Sequence, residues 1–216
     1  MTFVNYARKA TEMNPLSNSP PRPDPGKHHP LTITLHWGTA VCIVVAVAAV
    51  LLREVIEDKF WRHLLIDTHR QLGLLVLFSV AVRLGVRLRY GMSDHMGGLP
   101  RLMRWAATGA HWSLYALLVG LPLLGWASTN AHNLQVHFIG LIYFPALVGV
   151  DSELADQLSD NHLLAAWGLL GLVTLHTAAA LYHHHIRRDR VLWAMLPGPA
   201  QAKEAKPIRG KAELIG

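Results

Sequence analysis

Charge is scarce in this chain: only 16% of its 216 residues are Asp, Glu, Lys or Arg. Soluble domains carry about 25%, so the shortage argues against one water-exposed globule. Cysteine is scarcer still. Cys42 stands alone, which excludes any disulfide within the chain. No apolar segment lies close behind Met1, where a secretory signal would place one, so no cleaved peptide is read here. Internal repeats are missing, and the one biased tract is the proline-rich stretch 14–25, whose composition predicts disorder. Between residues 131 and 161 there is no Lys or Arg at all, although Asp151, Glu153, Asp156 and Asp160 fall there.

What the chain does have is apolar length. Mean hydropathy is +0.25, and four runs, at about 33–52, 66–88, 108–128 and 162–184, each approach the roughly 20 residues a membrane-spanning helix needs. Basic residues set the orientation. The leader carries Arg8, Lys9, Arg22 and Lys27. The connection between the second and third runs carries Arg87, Arg89, Arg101 and Arg104. The tail carries Arg187, Arg188, Arg190, Lys203, Lys206, Arg209 and Lys211. Positive charge stays on the cytoplasmic side, so the basic-free 131–161 segment faces outward. The expected fold is an all-α membrane protein, a four-helix transmembrane bundle with both termini cytoplasmic. It divides into a disordered leader (1–29), the bundle (30–197) and a basic cytoplasmic tail (198–216). Residues 136–150 tempt a fifth helix, but they are short, contain Pro145, and would move the basic tail outside; they are expected to form an outer loop lying partly in the interface. The high pI follows from these topology-setting loops against anionic lipid, and nucleic acid is not an expected partner.

Ionisable side chains are costly in hydrocarbon and mark functional sites there. His162 and His176 are 14 residues apart in the fourth run. That is close to four turns, so both project from nearly one face, about 21 Å apart along the axis. His69 and His162 each sit within a turn of the outer edge of their apolar runs and can share a plane. Taking the inner boundary near Pro30, His36 is about 9 Å deep in the first helix, and counting back from about His184, His176 is about 12 Å deep in the fourth. Two histidine pairs stacked across the bilayer result, matching axial ligands for two haems. Two neutral imidazoles favour electron transfer over oxygen binding, and helix bundles are a common framework for such sites. With no C-x-x-C-H motif, haem would be held non-covalently, as b-type. His111, seven residues inside Arg104 and so about 10 Å deep, competes with His36 on depth alone. His183, His184 and His185 read as an interfacial cluster beside Arg187 and Arg188. His28, His29, His63 and His95 read as surface residues, as do His132 and His137, which could also lie above the outer site. Gly73, Gly168 and Gly171 would let a flat macrocycle approach the backbone, though glycine is as common at plain transmembrane contacts. A haem-free metal transporter also uses buried histidines. It would set acids or thiols beside them, and the run interiors offer only Cys42.

Several segments resemble the bacterial cytochrome b561 family: Leu35-His36-Trp37; Asp67-Thr68-His69-Arg70-Gln71-Leu72-Gly73; and Arg83-Leu84-Gly85-Val86-Arg87. So do Gly120-Leu121-Pro122-Leu123-Leu124-Gly125, Leu175-His176 through His184, and the ending at Leu196-Pro197. The resemblance spans about residues 29–197. It implies a dihaem b-type cytochrome of the inner membrane, similar to the b subunits of formate dehydrogenase and hydrogenase. His36 would then pair with His176 at the inner haem and His69 with His162 at the outer one, which tilts the choice at the inner site toward His36. Arg70 and Arg83 become candidates for haem propionates, where a planar guanidinium suits a carboxylate; for Arg83 an ordinary snorkelling role competes. The resemblance further implies exchange with ubiquinone, with superoxide as a donor in some members. Arg53, Lys59, Arg62 and Arg70 would attract such an anion, while Glu54, Glu57, Asp58 and Asp67 oppose it. A conduit for a soluble redox partner is the alternative within the same chemistry.

Overall fold

The computed structural model describes residues 29–90, 101–188 and 191–197. The leader, the 91–100 connection with His95, and the tail lie outside the described residues, as does His28. Four long helices make up the rest: α1 (Pro30–Val55), α2 (Lys59–Tyr90), α3 (Arg101–Ala131) and α4 (Ser152–Tyr182). All four are long and apolar enough to cross a membrane.

Each helix end is built by local chemistry. Pro30 occupies the first turn of α1, where its missing amide costs nothing, and the His29 ring accepts from the Leu31 amide at 3.2 Å. His29 is therefore a cap rather than a bystander. Asp58 accepts from the Trp61 amide at 3.1 Å to start α2. Arg62 donates to the Arg53 and Ile56 carbonyls (3.0 and 3.2 Å), satisfying the C-terminal end of α1. Asp151 caps α4 by accepting from Glu153 and Leu154. At its far end α4 loosens into a π-helical turn, His183–Arg187, closed by left-handed Arg188 (φ 51°).

α2 and α4 start earlier than their apolar runs, at Lys59 and Ser152, so His69 and His162 do not open their helices. Each lies ten residues inside, about 15 Å from the first turn. Hydropathy marks where lipid begins, whereas the capped polar segments 59–65 and 152–161 continue the helix beyond it. The two histidines still match each other in depth.

The backbones of α1 and α2 pack closely, as do those of α3 and α4; α2 and α3 touch less, and neither α1 nor α2 packs its backbone closely on α4. The core sits at mid-height, where Val76 and Val80 of α2 meet Leu118 and Leu121 of α3 and Leu169 of α4, flanked by Cys42 and Ile43. Thr39 donates to the Leu35 carbonyl in its own helix and pairs with Ser79 of α2 at 2.8 Å, so neither hydroxyl is stranded. Residues 136–150 form no fifth helix. They hold a small antiparallel hairpin, β1 (His137–Phe138) with β2 (Ile142–Tyr143), and Asn130 at the end of α3 pins the loop by bonding the Leu134 carbonyl and the Leu147 amide. At the other end Trp37 donates to the Met195 carbonyl at 2.8 Å, tying the 191–197 segment to α1.

Val80 is the largest fully buried side chain (0% exposed). Val80→Ala is expected to cost about 1–2 kcal/mol through lost packing at the seam of three helices. Reversible unfolding in mixed micelles measures this, with Phe78→Ala on the exposed face near zero.

Candidate functional site

A 14-residue interval recurs in three helices. On α4 it separates His162 from His176, on α2 His69 from Arg83, and on α3 Gly125 from His111. Four turns bring each pair back to one face, so the interior has two polar levels with the Val76–Leu169 core cluster between them.

At the outer level the rings of His69 and His162 face each other across the gap between α2 and α4, with centroids 6.0 Å apart and planes at 76°. Neither carries its partner's anchor. His69 donates from Nδ1 to the Ala46 carbonyl of α1, and His162 from Nδ1 to the Leu121 carbonyl of α3, both at 3.0 Å. A carbonyl can only accept, so these bonds fix the Nδ1–H tautomer and leave each Nε2 lone pair free, as a metal ligand requires. Arg70 is half-buried beside this level. Above it Gln71 holds the hairpin at two points, donating to the His137 carbonyl (3.1 Å) and accepting from the Ile139 amide (3.0 Å). Ile139 is left-handed (φ 53°), a strained conformation for a β-branched residue, so the strap from α2 offsets real backbone cost. His137 lies 3.9 Å from Asp67 and is part of this cover. His132 is exposed and bonds the Ser128 carbonyl of its own helix.

At the inner level the structure brings together three imidazoles. His36 and His176 have centroids 6.4 Å apart, and His111 and His176 5.5 Å. The His69–His162 and His36–His176 spacings would admit a metal ion between facing rings, so these residues fit a haem iron; the His111–His176 spacing is shorter. Arg83 turns inward instead of snorkelling. It donates to Nδ1 of His36 at 3.4 Å, and its charge lies 5.7 Å from the Tyr115 ring centroid, while its Nε is buried without a partner. Among the described residues neither Arg70 nor Arg83 meets a carboxylate within 4 Å. A buried guanidinium short of one acceptor suits a carboxylate-bearing cofactor. His183–His185 stay on the π turn, mostly exposed, outside both levels.

Gly171 is nine residues from His162, or two and a half turns, and so lies on the face of α4 opposite that ring. Gly73, Gly168 and Gly171 have open space where a Cβ would be. Gly125 is the glycine that matters: a Cβ there would come within 3.2 Å of Cε1 of His162. The sequence shows Gly125 in a motif but gives no sign that its neighbour is a ring from α4.

Residues 27–198 match the family model described as prokaryotic cytochrome b561. The chain belongs to that family. It is 31% identical over 168 residues to Cytochrome b561 homolog 1 of Escherichia coli, covering 76% of this chain and 94% of that one. With Probable superoxide oxidase CybB of Yersinia pestis it shares 28% over 173 residues, 79% of this chain and 96% of the relative. With Cytochrome b561 homolog 2 of E. coli it shares 28% over 177 residues, 80% and 92%. As a cytochrome b561 it is a multi-pass protein of the bacterial inner membrane that binds haem b and transfers electrons across the bilayer. Haem-free metal transport is thereby set aside. Among the described residues no three His, Cys, Asp or Glu side chains converge on a bare ion either.

Gln71→Ala should free the hairpin without unfolding the bundle. Amide exchange at 137–143 is expected to quicken about 10-fold, corresponding to loss of one or two bonds worth about 1.4 kcal/mol together, while exchange within α2 stays unchanged.

Proposed function

We propose that this cytochrome b561 holds two haems b, the outer one between His69 and His162 and the inner one between His36 and His176, and passes single electrons between a small donor at the outer face and ubiquinone. The observation that carries this is the repeated pair of facing imidazoles, four turns apart on α4, with an apolar layer between. Haem b, when bound, supplies a one-electron ferric–ferrous couple.

The chain's own residues do the rest. His69 and His162 present Nε2 inward because Ala46 and Leu121 occupy their other nitrogens. A haem held by a histidine on each side would be suited to electron transfer rather than to oxygen binding. Val76, Val80, Leu118, Leu121 and Leu169 keep water out of the mid-plane, so charge cannot leak between the levels as hydrated ions. At His36, ligation through Nε2 requires the proton on Nδ1, and the Arg83 contact occupies that nitrogen as an acceptor. The two arrangements exclude one another. Arg83 is then released toward a propionate, the partner its orphaned Nε lacks. Arg70, half-buried and without a carboxylate within 4 Å among the described residues, is the corresponding propionate partner at the outer level. His111, bonded to the Ala107 carbonyl one turn back, serves as a polar neighbour of the inner site and not as its ligand.

Superoxide is the favoured donor among small anions, on the likeness to the Yersinia protein named as a probable superoxide oxidase and on Arg53, Lys59, Arg62 and Arg70 at the outer end of α1 and α2. The acids Glu54, Glu57, Asp58 and Asp67 share that end, so the attraction is local to the mouth of the site.

Pyridine haemochrome analysis is expected to give two haems b per folded chain. His69→Ala and His162→Ala should each lose the same haem, and His36→Ala and His176→Ala the other, with His111→Ala keeping both. One haem per chain, or loss of the inner haem in His111→Ala alone, overturns the assignment. Purified protein should reduce a soluble ubiquinone analogue when supplied with superoxide, and failure with an intact haem complement removes that donor.

A further inference from the structure

α3 supplies no ligand in the proposed arrangement, yet it touches the His162 ring from two sides. The Leu121 carbonyl accepts from Nδ1 at 3.0 Å, and Gly125, one turn on, leaves room for the ring. A methyl at Gly125 would sit 3.2 Å from Cε1, closer than such contacts normally are, and 3.4 Å from Nδ1, at the near edge of ordinary contact. Of the described glycines it is the only one whose added Cβ meets any atom within 4 Å. The Gly125 backbone is itself held, because buried Thr129 donates to its carbonyl at 2.7 Å. Pro122, beside Leu121, has no amide to offer the Leu118 carbonyl, a local break in the α3 ladder at the point where Leu121 bonds outward.

We propose that Gly125 and the Leu121 carbonyl form a seat that fixes the rotation of the His162 imidazole and so sets the angle between the two outer ligand planes. Gly125 is thus a positioning residue, acting through His162. That angle is 76°. The relative orientation of axial imidazole planes controls the splitting of the iron d orbitals in low-spin ferric haem, and hence the lowest-field g-value in electron paramagnetic resonance. A single carbonyl bond leaves a ring free to rock about the bond axis. The ring lies so close to the Gly125 backbone that an added Cβ would press on it at 3.2 Å, so the bare backbone lets the imidazole keep the rotation that the carbonyl bond sets.

The inference rests on His162 being a ligand, and the test separates the two. Gly125→Ala is expected to retain two haems per chain and to shift the lowest-field g-value of one ferric signal, leaving the other unchanged. Gly120→Ala on the same helix, where a Cβ meets nothing within 4 Å, should leave both signals in place. Unchanged signals in Gly125→Ala overturn the seat. If that variant does not accumulate, the wild-type outer signal decides: a seated ring gives a narrow line, and a broad distribution of g-values shows a rocking ring and overturns the proposal. His162→Ala should abolish the same signal. If it keeps both haems, the ligand assignment fails and not merely the seat.

Discussion

An imidazole inside hydrocarbon has to satisfy two nitrogens with no water at hand, and this constraint organises the bundle. One nitrogen of each outer histidine goes to a main-chain carbonyl of a neighbouring helix: Ala46 on α1 for His69, Leu121 on α3 for His162. A helix carbonyl already accepting its own ladder bond has a second lone pair, so the arrangement adds a bond without breaking the helix. The other nitrogen is left unbonded beside the facing ring. In low dielectric an unpaired buried polar group is costly, so a site prepared in this way favours a partner that completes it, and under the proposed function that partner is a haem.

That constraint also explains how the helices associate. α1 packs on α2 and α3 on α4 with small residues and a threonine–serine contact, while α4 keeps its backbone away from α1 and α2. The gaps are the width that facing imidazoles bridge. Between the two levels, five aliphatic side chains fill the mid-plane. A bundle of this design is at once rigid, dry in the middle and polar at two heights, the properties a transmembrane electron path needs. The outer level has the more elaborate support. Gln71, two residues from His69, straps down a hairpin with a strained Ile139, and Asn130 pins the remainder of the loop.

Much of this was legible in the residues. Apolar run lengths and the basic-free outer loop implied four spans, and Pro145 argued correctly against a fifth. The 14-residue interval on α4 implied two levels, and depth matched His69 to His162 while leaving both His36 and His111 level with His176. Other features were hidden for definite reasons. The starts of α2 and α4 were placed too late because capped polar turns are helical outside lipid. Gly171 drew attention by proximity in sequence, although helical phase sets it opposite His162. Gly125 passed without a role because the ring it accommodates comes from another helix, 37 positions along the chain. Arg83 looked like a boundary residue because hydropathy cannot show which way a long side chain bends.

The sequence by itself determined how many helices cross the membrane, which faces of them carry histidine and at what heights, because periodicity and hydropathy are properties of one helix in one solvent. Only the tertiary structure decided which carbonyl holds each ring, that His111 stands as close to His176 as His36 does, and that Arg83 bends toward the inner pair. Those depend on how far apart two helices settle and how each is rotated, which is fixed by the packing of Val76, Val80, Leu118, Leu121 and Leu169 together and by no single segment alone.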